Sequence, residues 1–369
     1  MSVSAVRAEL GGPDGLRFVR APGRVNLIGD HTDYAEGFVL PMAIDRECLV
    51  GLRRTDDGRV RARSLELTGE VDIAADGSDD ARTVEPHWGG FVAGAVQSLA
   101  ARGATLPGLE LAISSTVPAG SGLSSSSALS VALTLALADT AGLELPADEV
   151  ARSALDAEIR ATGVPGGLMD QLTSVHGVAD HALLIDCRTL AVDPIPMPGE
   201  LTVLVVHSGV ARTLAGSAYA ERRGATERAA ARLGIATLRD ATLAEVHDDP
   251  FARHVVTENG RVLAFAAALR GNDVDALGPL LLASHASLRD DFAVSTPELD
   301  LLVDAFVASG ALGARLTGAG FGGCVVGLAL ASDAPRVLDQ TVERYRSASG
   351  QEPSAFVVQA VAGAGRVQP

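Results

Sequence analysis

Apolar residues recur along the chain in two rhythms. From Leu16 to Arg54 they come in short runs, FVLPMAI and CLVGL among them, broken by Gly, Pro and Asp, which predicts strands joined by tight turns. Between Trp88 and Arg102 the residues Phe91, Val92, Ala95, Val96 and Leu99 fall at helical spacing. LELAISS then predicts a strand that ends in PAGSGLSSSSA, residues 118 to 128, and this stretch runs directly into ALSVALTLALADTAG, an apolar segment of helical character. Helical spacing returns from Ala147 to Ala161, opened by Pro146 and closed by Gly163. HALLIDC, a Pro-rich stretch VDPIPMPGE and the buried-strand run LTVLVVHS follow. The second half alternates long Ala/Leu/Arg helices with LTGAGFGGCVVGLAL and a final strand SAFVVQAV. Strands mixed with helices in this way predict an α+β protein. A length of 369 residues predicts two domains, divided in the Pro-rich stretch into 1–197 and 198–369.

Composition narrows what such a protein can do. With 47% hydrophobic and 21% charged residues the chain is an ordinary globular one. Its net charge of -16 opposes polyanions and no basic cluster offsets it, so neither nucleic acid nor an anionic membrane is expected as a partner. All 30 Lys+Arg residues are arginine. That excludes a Walker A loop, a protein-kinase strand lysine and a pyridoxal Schiff base, each of which needs a lysine amine. Cys48, Cys187 and Cys324 lie far apart without CxxC spacing, which fits a reducing cytoplasm. The stretch MSVSAVRAELGGPDG has no basic region followed by an apolar one, so no signal peptide is expected. The most apolar run, Ala128 to Leu137, is shorter than the about 20 residues that span a bilayer.

Four stretches carry candidate chemistry. In PAGSGLSSSSA, Gly120 and Gly122 permit positive φ, so successive N–H groups can converge on an anion at a helix entrance, with serine hydroxyls as further donors. Phosphate can then be held without a lysine. In APGRVNLIGDHTDYAEGFVLP, residues 21 to 41, the cluster Arg24, Asp30, His31, Asp33 and Tyr34 can aim several polar groups at one polyhydroxylated ligand. In AEIRATGVPGGLMDQ, residues 157 to 171, Asp170 follows a Pro-Gly-Gly turn among apolar neighbours, and Glu158 on the preceding helix can face the same space. GARLTGAGFGGC, residues 313 to 324, contains GxGxxG, but a strand follows it, so a dinucleotide fold is not expected.

Taken together, these stretches resemble the GHMP kinases, and within them the galactokinase family: GRVNLIGDHTDYAEGFVLP the N-terminal signature, PAGSGLSSSSA the nucleotide loop, GGLMDQ the catalytic loop and GARLTGAGFGGC the third motif, in the family's order. The resemblance implies a two-domain GHMP fold, with an N-terminal domain like the second domain of ribosomal protein S5, a ferredoxin-like C-terminal domain, and the site in the cleft between them. It implies transfer of the γ-phosphoryl of MgATP to the anomeric hydroxyl of galactose. Asp170 and Arg24 would be catalytic, and Asp30, His31, Asp33, Gly167 and Tyr219 would line the sugar. Trp88 would flank adenine, residues Gly120, Ser121, Gly122, Leu123, Ser124, Ser125 and Ser126 would hold the nucleotide, and Ser125 and Glu158 would hold Mg²⁺. With a guanidinium beside it, Asp170 is expected to orient the hydroxyl or to take its proton late in the transfer. A monomer is expected, with MgATP and the sugar as its partners. Three departures from the family pattern stand out: Asp30 stands where Glu is usual, Ser121 replaces a glycine, and Ala211 with Arg212 replaces an Arg-His pair. Asp30 keeps open a kinase for another sugar, and a non-catalytic sugar sensor is a further alternative.

Overall fold

The computed structural model describes residues 3–12, 15–210 and 215–368. A short helix α1 (Val3–Leu10) precedes two long strands, β1 (Arg17–Ile28) and β2 (Phe38–Thr55). Strands β3 (Arg59–Ser64) and β4 (Glu70–Ala74), helix α2 (Gly89–Ala100) and strand β5 (Gly108–Ser115) follow. Three helices come next, α3 (Ser125–Ala141), α4 (Ala147–Thr162) and α5 (Met169–His176), then the hairpin β6 (His181–Asp186) and β7 (Ala191–Pro196). The rest of the chain runs β8 (Leu201–His207), α6 (Ala215–Leu233), α7 (Pro250–Gly271), α8 (Val274–Asp290), α9 (Pro297–Ala308), β9 (Gly313–Thr317), β10 (Cys324–Leu330), α10 (Ala334–Ser349), β11 (Ser354–Val358) and β12 (Gly365–Val367). No helix of the described residues is long and apolar enough to cross a membrane.

Two sheets divide the chain. The first has the order β12-β1-β2-β5-β3-β4, with β6 joined to the start of β2 and β7 to β6, and only the β3–β5 pair is parallel. The second has the order β11-β8-β10-β9 and is antiparallel throughout. With helices between β8 and β9 and between β10 and β11, that order is the ferredoxin-like split βαβ arrangement. The sheets part between Pro196 and Leu201, in the Pro-rich stretch. The chain end does not stay with the second sheet, because β12 returns to pair with β1 through Phe18, Val19 and Arg20.

Two features of the first sheet set up the cleft. Helix α3 is buried on nearly every side, because small and apolar residues surround its axis and let it sit against β1, β2 and the neighbouring helices. Strand β1 carries irregularities between Pro22 and Arg24 and between Asn26 and Ile28, which break its register with β2. At the first of them Gly23 lets the backbone approach the 118–124 loop so closely that a Cβ there would lie 2.7 Å from the Leu123 carbonyl oxygen. The Arg24 amide donates to that same oxygen at 3.1 Å.

Candidate active site

A cavity of about 430 Å³ opens where the 120–127 loop, α4, α5, the 30–33 turn and the 318–319 turn converge. The loop reaches it through Gly120 at φ 70°, Gly122 at φ 87° and Ser124 at φ 62°, the last a left-handed conformation that a serine seldom takes. This run turns the backbone into α3, whose first-turn amides have no acceptor within the helix and lie at the cavity edge.

Arg24 reaches the cavity from β1 and is 5% exposed. Its Nε donates to Asp170 Oδ1 and its Nη2 to Asp170 Oδ2, both at 2.8 Å, a bidentate pair that fixes both planes. Its Nη1 donates to the Gly122 carbonyl at 2.5 Å, so one guanidinium ties the loop to the carboxylate. The Ser124 hydroxyl also donates to Asp170 Oδ2.

The wall beyond Asp170 is made of His31, Asp33, Gly167 and Tyr219. Gly167 lies so close to Asp33 that a Cβ would fall 1.6 Å from Asp33 Oδ2, which accounts for glycine there. Burial, reinforced by the charge of Asp170, pushes the Asp33 carboxyl up to about 6. Burial pulls His31 down to about 3, so its ring is neutral. Its Nε2 contacts the Ala319 carbonyl at 3.2 Å and its Nδ1 the Tyr34 hydroxyl at 2.9 Å. Because a carbonyl only accepts, Nε2 carries the proton and Nδ1 accepts from Tyr34. The rings of His31, Tyr34 and Tyr219 stand 5.6 to 6.0 Å apart and form an aromatic corner.

Asp30 lines the cavity, but its carboxylate is already engaged. Oδ1 accepts from the Gly318 amide at 3.0 Å, and Oδ2 forms an ion pair with Arg315 at 2.6 Å. Arg315 is fully buried; its other nitrogens donate to Ser284 Oγ and to the carbonyls of Asn26 and Leu27. Ser284 and the Gly29 amide in turn donate to Glu258, which is paired with Arg261.

On the other side of the cavity Glu158 accepts from Ser126 Oγ at 2.6 Å, from Ser127 Oγ at 3.0 Å and from Gln171 Nε2 at 2.8 Å. Burial raises its carboxyl above the usual carboxylate range, and the charge of Asp170 adds to this. Among the described residues no cluster of three or more His, Cys, Asp or Glu could hold a metal by itself. One carboxylate among hydroxyls suits a hard cation that brings phosphate and water oxygens with it, as Mg²⁺ does.

Of the residues expected from sequence, the structure brings Arg24, Asp30, His31, Asp33, Gly120, Gly122, Ser124, Ser125, Ser126, Glu158, Gly167, Asp170 and Tyr219 to this one cavity. Three expected at the nucleotide are not on its wall. Trp88 is packed in the core at 9% exposure with its indole N–H donating to the Thr68 carbonyl. Leu123 is fully buried, and Ser121 turns its hydroxyl inward to the Pro118 carbonyl. Ser125 faces the cavity, but the hydroxyls on Glu158 are those of Ser126 and Ser127. Ala211 and Arg212 lie outside the described residues. Sequence reasoning missed Gln171 and Arg315, although both sit inside the quoted stretches. An arginine in an apolar strand such as GARLT demands a buried partner, and that signal was available.

The chain matches the family described as the GHMP kinases N terminal domain over residues 90–178, the galactokinase galactose-binding signature over 7–54, and the GHMP kinases C terminal domain over 265–347. It is 44% identical to a galactokinase of Roseiflexus sp. (strain RS-1) over 364 residues, covering 95% of this chain and 92% of that one. It is 43% identical to a galactokinase of Chloroflexus aurantiacus over 362 residues, covering 94% and 92%. The crystal structure of Lactococcus lactis galactokinase complexed with galactose superposes with a TM-score of 0.93 at 30% identity, covering 99% of this chain and 100% of that one. A Methanococcus jannaschii mevalonate kinase shares the fold at a TM-score of 0.70 and 20% identity, covering 95% and 100%.

Proposed function

The chain belongs to the galactokinase family, and from that premise we propose that it transfers the γ-phosphoryl group of ATP to the anomeric hydroxyl of galactose, yielding galactose 1-phosphate and ADP. The observation that carries this reading is the bidentate Arg24–Asp170 pair, tethered to Gly122 at the entrance of α3 and facing the same cavity as Asp33 and His31.

Each residue then has a task set by its chemistry. A carboxylate oxygen offers two acceptor sites. On Asp170, Arg24 takes one on each oxygen and Ser124 takes another on Oδ2, which leaves Oδ1 to receive the sugar hydroxyl. Asp170 thus aims the nucleophile and takes its proton as the phosphoryl group arrives, while Arg24 offsets the charge that builds there. Asp33 accepts from neighbouring sugar hydroxyls, and the neutral His31 and Tyr219 complete the sugar wall. The amides at the start of α3, with the hydroxyl of Ser125, hold the phosphates in place of a lysine. Glu158, with one of the facing serine hydroxyls, would hold Mg²⁺, which neutralises phosphate charge when bound. Phosphoryl transfer depends on alignment and charge compensation more than on covalent help, so this set is sufficient.

The test is ADP release measured over a panel of hexoses and pentoses, with Asp170→Asn as control. Turnover on galactose that falls by about 10³-fold or more in the variant is expected, in the range general base and positioning losses reach together. Turnover confined to another sugar transfers the reading to that sugar, and tight sugar binding without ADP release overturns it.

A further inference from the structure

Gln171 follows the catalytic Asp170 directly, yet it has no part in the reading above. Its side chain is 1% exposed and borders the cavity. The amide nitrogen donates to Glu158 Oε2 at 2.8 Å and to Ser127 Oγ at 3.2 Å, and the amide oxygen has no hydrogen-bond partner. Burying an amide with one end unpartnered is costly, so a packing role alone is a poor account of glutamine here. Glu158 itself hangs from α4 with only neutral donors around it, two hydroxyls and this amide. A carboxylate on a flexible stem chooses its direction by such donors, and a metal ligand is only as well placed as the groups that orient it.

We propose that Gln171 is a positioning residue of the metal subsite: its Nε2 holds the Glu158 carboxylate toward the cavity, in the direction from which that carboxylate meets the ion. The proposal rests on the reading of Glu158 as a ligand of the nucleotide's divalent cation. It gives α5 two functions on adjacent residues. Side chains at successive helical positions diverge by about 100°, so Asp170 addresses the sugar while Gln171 addresses Glu158 on α4. A displacement of α5 therefore moves the hydroxyl acceptor and the metal ligand together.

The test compares ADP affinity with and without Mn²⁺, by calorimetry, in the full chain. The ratio of the two affinities is the tightening that the cation contributes, and it needs no turnover. Gln171→Met keeps the length and apolar contacts but removes donor and acceptor. It is expected to reduce the Mn²⁺-dependent tightening by about tenfold or more, with ADP affinity in EDTA and galactose affinity changed less than about twofold. Glu158→Gln, run beside it, separates the two ideas. If Glu158→Gln loses the tightening and Gln171→Met does not, Gln171 is core packing and the proposal is wrong while the Glu158 reading stands. If Glu158→Gln keeps it, the metal reading fails and the proposal falls with it. Equal loss of ADP affinity with and without Mn²⁺ in Gln171→Met also overturns it, since a general distortion of the loop would do that. Should Gln171→Met not fold, Gln171→Asn withdraws the amide from Glu158 by one methylene and must show the same selective loss; unchanged tightening there refutes the proposal.

Discussion

Asp33 sits against Gly167, near Asp170 and the aromatic corner, and this crowding raises its carboxyl from 3.8 to about 6. Between those two values the folded state holds a proton that the unfolded chain has released, so stability falls as pH rises through this window, and the penalty is complete above about pH 6. The shift corresponds to at most about 3 kcal/mol, reduced by the partial solvent contact of the group. Asp33→Asn removes the penalty. Its thermal midpoint is expected to exceed that of the unaltered protein at pH 8 and to approach it at pH 4, by calorimetric scans at both. The same substitution replaces a charged acceptor of sugar hydroxyls with a neutral one and should raise the galactose KM by about tenfold or more. In the unaltered enzyme that KM should climb as pH drops below about 6, because the ionised form is the better acceptor. A variant that loses sugar affinity without gaining stability at pH 8 would contradict this account.

The approach of β1 to the nucleotide loop depends on what Gly23 lacks. A methyl group there would meet the Leu123 carbonyl at 2.7 Å and both methyls of Val117 at 3.1 Å, and the carbonyl, being backbone, cannot swing away. Gly23→Ala is therefore expected to push the loop off β1, break the Arg24 amide bond to Leu123 and misalign Arg24 against Gly122. Steady-state kinetics should show a lower kcat and a higher KM for ATP, on the order of a hundredfold in kcat/KM for a displacement near 1 Å, with galactose binding to the nucleotide-free enzyme little changed. Equal losses for both substrates would point to general unfolding instead. The loop itself was legible in the sequence, because glycines at a strand end followed by an apolar helix leave few other readings. The bulge was not, since GRVNLIG reads as plain extended chain and only the partner strand reveals the broken register. The serine that faces Glu158 was also out of reach: the positive φ of Ser124 rotates the start of α3 and so decides which hydroxyl points where. The strand β12 escaped notice because three residues are too few to display an alternation.

At the scale of the whole molecule, the two sheets are joined by buried charge as well as by apolar contact. Arg315 on β9 reaches across to Asp30 and to the carbonyls of β1, while Glu258 and Ser284 on α7 and α8 complete the network. Asp30 was legible as a sugar-facing residue one methylene shorter than the usual Glu, but its partner Arg315 was missed, because their contact joins residues 285 positions apart in the two halves. In the structure its carboxylate anchors Gly318, and the adjacent Ala319 carbonyl sets the tautomer of His31, so a contact between domains governs the shape of the sugar wall. Removing one partner from such a pair leaves a buried charge without compensation, a loss of about 3–5 kcal/mol, whereas removing both restores much of it. Arg315→Met should thus lower the unfolding free energy in urea by that amount, and Asp30→Asn added to it should recover more than half, since asparagine still accepts from Gly318 but carries no charge. Recovery of stability in the double variant together with a galactose KM that stays raised would show that the pair sets cleft geometry beyond holding the domains together. A double variant no more stable than Arg315→Met would mean that Asp30 is not the charge Arg315 compensates, and that Glu258 carries the balance alone.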